Sequence, residues 1–105
     1  MMLAEFELVP IGTGTASLSD VLAGVAKVID HSRLDYRLGP MGTTVEGSWD
    51  QIMVLAKRCH ETILQSADRV LFTIRIDDRT DKPSAGRLTQ KVQSLEAKVG
   101  KALKK

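Results

Sequence analysis

Apolar residues in this chain recur first at every second position, then at every third or fourth, and the switches between the two rhythms leave few folds open. Between Leu3 and Val9, Ala4, Phe6 and Leu8 face one way while Glu5 and Glu7 face the other, the pattern of a strand with one buried side. Pro10 and the turn Gly12-Thr13-Gly14 close that strand. Ser17, with Asp20 three residues on, opens a helix as a capping box. Its stripe is Leu18, Val21, Leu22, Val25, Val28 and Ile29, ending near His31-Ser32. Leu34, Tyr36 and Leu38 alternate with Asp35 and Arg37, Gly39-Pro40-Met41-Gly42 turns the chain, and Thr43 to Glu46 return as the hairpin partner. Ser48 with Gln51 forms a second capping box, starting a helix from Trp49 to about Gln65 with the stripe Ile52, Leu55, Ala56, Cys59 and Ile63. From Arg69 to Asp77, Val70, Phe72, Ile74 and Ile76 alternate with Leu71, Thr73 and Arg75. Leu88, Val92, Leu95 and Val99 mark a last helix, halted at Gly100.

The order is βαββαβ plus a terminal helix. It predicts an α+β, ferredoxin-like sandwich: a four-stranded antiparallel sheet with two helices on one face and a C-terminal third helix. With 105 residues, 43% of them apolar, the chain reads as one such domain over 1–105, with residues 84–105 as a basic tail of net charge +5. That excess is read as lysines near the negative end of a helix rather than as a nucleic-acid surface. No apolar run reaches the roughly 20 residues that cross a bilayer. The single Cys59 and an N-terminus without a basic leader lead us to expect a reducing, cytoplasmic setting.

If the first two helices cover Ala4, Phe6, Leu8, Leu34, Tyr36, Leu38, Val45, Phe72, Ile74 and Ile76, the opposite face is left open. It would carry Glu5, Glu7, Asp35, Arg37, Thr44, Glu46, Thr73 and Arg75. A carboxylate placed mid-strand, as Glu46 is, needs a partner from its own chain, a neighbouring subunit or a ligand, because burying it alone costs several kcal/mol. Glu5, Glu7 and Glu46 on adjacent strands repel one another, and Arg37 and Arg75 relieve part of that. The rest is relieved either by a cationic ligand bound at this face or by arginines of the same or a partner subunit.

Catalysis is not expected. Cys59 and His60 are neighbours on a helix and diverge by about 100°, so they do not readily join one tetrahedral metal centre. Ser17, Ser19 and Ser48 are explained as caps. Gly12-x-Gly14 lacks the third glycine of a dinucleotide loop, and no Walker-type lysine follows. In Asp77-Asp78-Arg79-Thr80-Asp81 the arginine favours an ion-pair corner over a metal site.

Three segments together, Val9-Pro10-Ile11-Gly12-Thr13, Met41-Gly42-Thr43-Thr44-Val45-Glu46-Gly47 and Ile76-Asp77-Asp78-Arg79, resemble the YkoF-like thiamine-binding family over roughly residues 2–100. One departure is Arg75, where the family pattern has lysine. The resemblance implies a homodimer or homotetramer that binds thiamine or its hydroxymethylpyrimidine moiety without a cofactor and without a reaction. Carried onto this sequence, the matching motifs hold Gly12 and Thr13, and Thr43, Thr44 and Glu46. A carboxylate can meet the thiazolium charge or the exocyclic amine, and threonine hydroxyls can both donate and accept at ring nitrogens. Trp49 or Met41 would supply the shelf for a flat ring. The competing reading is a structural or regulatory oligomerisation module with no small-molecule ligand.

Overall fold

A computed structural model describes residues 1–12, 18–81 and 86–104. Its elements are β1 (Met2–Ile11), α1 (Leu18–His31), β2 (Asp35–Leu38), β3 (Thr43–Gly47), α2 (Trp49–Leu64), β4 (Arg69–Asp78) and α3 (Arg87–Val99). The strands form one antiparallel sheet in the order β2-β3-β1-β4, the ferredoxin-like arrangement that the alternating rhythms predict.

Register places the side chains. Ala4 lies between Val45 and Ile76, and Phe6 between Thr43 and Ile74, all on the face that α1 and α2 cover. Phe6 meets the Phe72 ring edge-on at 5.4 Å. The α2 stripe read from sequence, Ile52, Leu55, Ala56, Cys59 and Ile63, is buried throughout, and Val25 and Ile29 of α1 pack into the same core. Both halves of the α2 capping box are formed: Gln51 N–H donates to Ser48 Oγ at 3.2 Å, and Ser48 N–H donates to Gln51 Oε1 at 3.0 Å. The box proposed at Ser17 lies outside the described residues, as does Thr13.

Three expectations need correction. Leu38 was assigned to the covered layer and is 69% exposed, and Ile76 is also exposed. Leu38 is the last residue of edge strand β2, with no strand beyond it, so neither helix layer covers it. Strand β1 does not stop before Pro10 but continues to Ile11. Past Phe6 it pairs with β4 alone, so a residue without an N–H is accommodated on the side that has no neighbour. Finally, the open face is not bare, because α3 packs on it against β1, β2 and β3.

The β2–β3 hairpin turns through Gly39–Gly42, closed by the Gly39 N–H donating to the Gly42 carbonyl at 2.9 Å. A side chain at Gly42 would place its Cβ 2.9 Å from the Phe6 carbonyl oxygen, so glycine is required there by close approach.

Candidate functional site

The face under α3 carries the residues that alternation assigns to it. Glu5 lies between Thr44 and Arg75, Leu3 between Glu46 and Asp77, and on the edge strand Arg37 lies beside Thr44 and Asp35 beside Glu46. Arg75 and Glu5 form an exposed ion pair at 3.5 Å, a contact of small energetic value.

Glu46 finds its partner within its own chain. Its residue is 4% exposed. Oε2 accepts the Gly86 N–H at 2.9 Å and Oε1 accepts the Leu88 N–H at 3.0 Å. These donors belong to the first turn of α3, whose N-cap, Gly86, sits at φ 90 and has no side chain to cap the helix itself. A carboxylate 40 residues upstream therefore does what a serine or aspartate usually does locally, and it meets the positive end of the helix dipole. The left-handed φ favours glycine at that hinge.

Arg87, the next residue, is also 4% exposed. Its Nη1 donates to the Asp77 carbonyl at 2.8 Å and to the Met1 carbonyl at 3.4 Å. Its Nη2 lies 3.0 Å from Asp77 Oδ2. That N–H is not aimed at an acceptor, so the contact is charge pairing rather than a hydrogen bond. Glutamate and arginine together pin the start of α3 to the sheet.

Between the pinned helix and the sheet runs a groove of about 540 Å³, within the usual range for small-molecule sites. Arg37, Leu38 and Thr44 form its floor, and Leu88, Thr89, Val92, Gln93 and Glu96 form its wall. It offers hydroxyls, an amide, a guanidinium and a carboxylate alongside the aliphatic Leu88 and Val92. One oxygen of Glu96 accepts the Leu103 N–H at 2.6 Å, tying the residues after α3 back to the helix.

The residues singled out from sequence do not all meet. Thr44 faces the groove, and Glu46 is buried beside it as the clamp of α3. Thr43, one residue along the same strand, faces the opposite side and pairs with Phe6. Gly12 (φ 75) lies at the far end of β1 against Asp68, seven residues beyond the Thr44 neighbour Glu5. At roughly 3.3 Å per residue, that is about 23 Å away. Neither Trp49 nor Met41 lines the groove; Leu88 and Val92 offer the apolar surface instead.

Sequence reasoning missed the whole α3 wall and counted Arg87 as part of a basic tail. Two signals pointed to it: a carboxylate in mid-strand lacking a partner, and a helix starting after glycine lacking a cap. Each supplies what the other needs.

Elsewhere, Arg79 forms the expected corner, with Nε 3.2 Å from Asp81 Oδ1 and Nη2 2.7 Å from Oδ2. Among the described residues no three His, Cys, Asp or Glu side chains gather closely enough to hold a metal ion, and no helix is long and apolar enough to cross a membrane. Burial pushes the Cys59 thiol up to about 11, which makes it a poor nucleophile near neutrality.

Comparison with known proteins matches residues 4–96 to a family described as thiamine-binding protein. A UPF0045 protein of Methanothermobacter thermautotrophicus is 36% identical over 101 residues, covering 94% of this chain and 100% of that one. The UPF0045 protein YqgV of Bacillus subtilis is 35% identical over 100 residues, covering 90% of this chain and 94% of its own. Among solved structures, a hypothetical protein of Methanocaldococcus jannaschii superposes with a TM-score of 0.78 at 30% identity, covering 90% of this chain and 94% of that one. A Thermotoga maritima protein whose name points to thiamine biosynthesis or salvage has a TM-score of 0.74 at 24% identity, covering 90% and 97%, and at that identity it shows the fold alone.

Proposed function

Since the chain belongs to the thiamine-binding protein family, matched over residues 4–96, we propose that it binds thiamine or the hydroxymethylpyrimidine part of thiamine in the groove beneath α3. The observation that carries this reading is a groove of suitable volume whose lining combines Thr44, Thr89, Gln93 and Glu96 with an aliphatic wall. An aminopyrimidine presents neighbouring donors and acceptors, which hydroxyls and a carboxamide can match, and the Glu96 carboxylate is the anion nearest to hand for a thiazolium cation. Arg37 can lie flat against an aromatic ring.

In this reading Thr44 contacts ligand directly, and Glu46 contributes by holding the wall in place rather than by touching the cation. Thr43 and Gly12 take no part within one subunit; a second copy would be needed to bring a Gly12 near. We take the protein to act as a cytoplasmic homodimer or homotetramer that carries out no reaction.

Isothermal titration with thiamine and with hydroxymethylpyrimidine tests the reading on the unaltered chain, Thr44→Val and Gln93→Ala. The expected result is saturable heat with at least one ligand and about a tenfold loss in each variant, the worth of one hydrogen bond to a polar ring. Absence of heat with both ligands rejects the function, and unchanged affinity in both variants rejects the groove.

A second reading, the oligomerisation module, is favoured by Val9 and Leu71, exposed neighbours on the part of the sheet face beyond α3. Sedimentation showing assembly, together with no response to either ligand, would select it.

A further inference from the structure

Helix α3 meets the sheet firmly at one end and loosely along the rest. Its first turn is fixed: the Gly86 and Leu88 N–H groups reach Glu46, and Arg87 donates to the Asp77 and Met1 carbonyls. Beyond that turn, the groove of about 540 Å³ lies between the helix and the strands. The apolar stripe of α3 records the difference. Leu88 and Val92 are half-buried, whereas Leu95 is 56% exposed and Val99 55%. The corresponding stripe of α2 is buried throughout. The Leu103 N–H donates to Glu96, which joins the residues after α3 to the helix itself, so they travel with it.

A side chain that faces an unfilled gap forfeits the dispersion contacts that a packed neighbour would supply. The outer part of α3 therefore has little apolar hold on the sheet, and the clamp at its start carries the attachment. Gly86 suits a pivot: it sits at φ 90, and no heavy atom stands within 4 Å of the place where a Cβ would be. Arg37 on the groove floor and Glu96 on its wall carry opposite charges, so their attraction favours a narrower gap over a wider one.

We propose that α3 is a strap that pivots on its clamped first turn and closes toward the sheet when a molecule fills the groove. The identity of that molecule rests on the thiamine reading above; the movement rests on the packing of α3. A ring laid between Thr44 and Val92 supplies the contacts that the empty interval withholds, and Leu95 and Val99 lose exposure as the helix comes down. Ligand and closed strap then stabilise each other by the same factor. The strap opens more readily than the core, because few buried apolar contacts hold it.

Hydrogen exchange and thiol labelling of the full chain test this. In the free protein, amides 92–99 are expected to exchange about tenfold faster, or more, than amides 52–63 of α2. Thiamine at about a hundred times its Kd is expected to slow 92–99 by about a hundredfold. Thr44→Phe fills the groove from the sheet with no ligand present and is expected to slow the same amides about tenfold. Should that variant not fold, Gln93→Phe fills the groove from the helix and repeats the test. Leu95→Cys reports the closure directly: its reaction with Ellman's reagent is expected to slow about fivefold when the groove is filled, while Gln90→Cys, at an exposed position elsewhere on the helix, keeps its rate. Cys59, fully buried, stays silent in both. The proposal is overturned if 92–99 are as protected as α2 in the free chain, if filling the groove leaves their exchange unchanged, or if Leu95→Cys and Gln90→Cys respond alike. If neither thiamine nor hydroxymethylpyrimidine gives heat, the ligand assignment falls and the filling variants alone decide the strap.

Discussion

On one side of the sheet, α1 and α2 sink Val25, Ile29, Ile52, Leu55, Cys59 and Ile63 into a dry layer; on the other, α3 arrives with a buried arginine and takes its cap from a strand glutamate. The first arrangement rests on non-directional apolar burial, which tolerates exchanges of similar volume. The second rests on a few directional contacts that must all be present, because a buried charge that loses its partner is costly. The covered side therefore sets whether the chain folds, and the clamped side sets whether the groove exists.

The hardest blow to this contrast falls on the covered side. Ile63→Ala, at a fully buried position of α2, is expected to cost about 3–4 kcal/mol in urea unfolding and to lower protection across the whole molecule. Loss of protection confined to α2 would contradict a single shared core. Glu46→Ala removes two charge-assisted hydrogen bonds from the α3 N-terminus and is expected to cost about 2–3 kcal/mol locally. Hydrogen exchange would then rise across 87–99 while α1 and α2 stay protected; a uniform rise would mean that α3 belongs to the global core.

Cys59 gives the covered side a signature in pH. Its thiol titrates near 11 when folded against an ordinary value near 9, so the unfolded chain sheds this proton first as pH rises. Stability from this source is intact below about pH 9 and declines by roughly 2 kcal/mol by about pH 11. Chemical unfolding of Cys59→Ala and the parent across that window checks it: the parent should lose more than the variant. The smallest effect concerns how α1 ends. Arg33 adopts φ 65 just beyond the helix, where glycine is at ease, so Arg33→Gly is expected to raise stability by about 0.5 kcal/mol in thermal unfolding.

The same contrast explains how much could be read in the amino acids. Periodicity reports apolar burial, so the α2 stripe, the strand faces and the hairpin were all legible, down to Ser48 and Gln51 capping each other three residues apart. A clamp leaves no such trace. The contacts from Glu46 to Gly86 and Leu88 join positions 40 and 42 residues apart, and no repeat connects them. Thr44 was legible as a site residue because it faces outward from a polar strand. Thr43 beside it was grouped with it by motif, although strand geometry sends the two to opposite faces. Leu38 shows the remaining limit: a strand's rhythm reveals which way a side chain points, and says nothing about whether a helix extends far enough to shelter it.

Pro10 has a consequence beyond tolerance. Past Phe6, no described strand pairs with β1 on the β3 side, the kind of edge to which an extended peptide can add, including another molecule of the same kind. Strand geometry aims the nitrogen of residue 10 toward that side, and proline gives it no hydrogen to offer. An intruding strand would therefore find a missing rung, and this guards the protein against polymerising through its own unfinished edge.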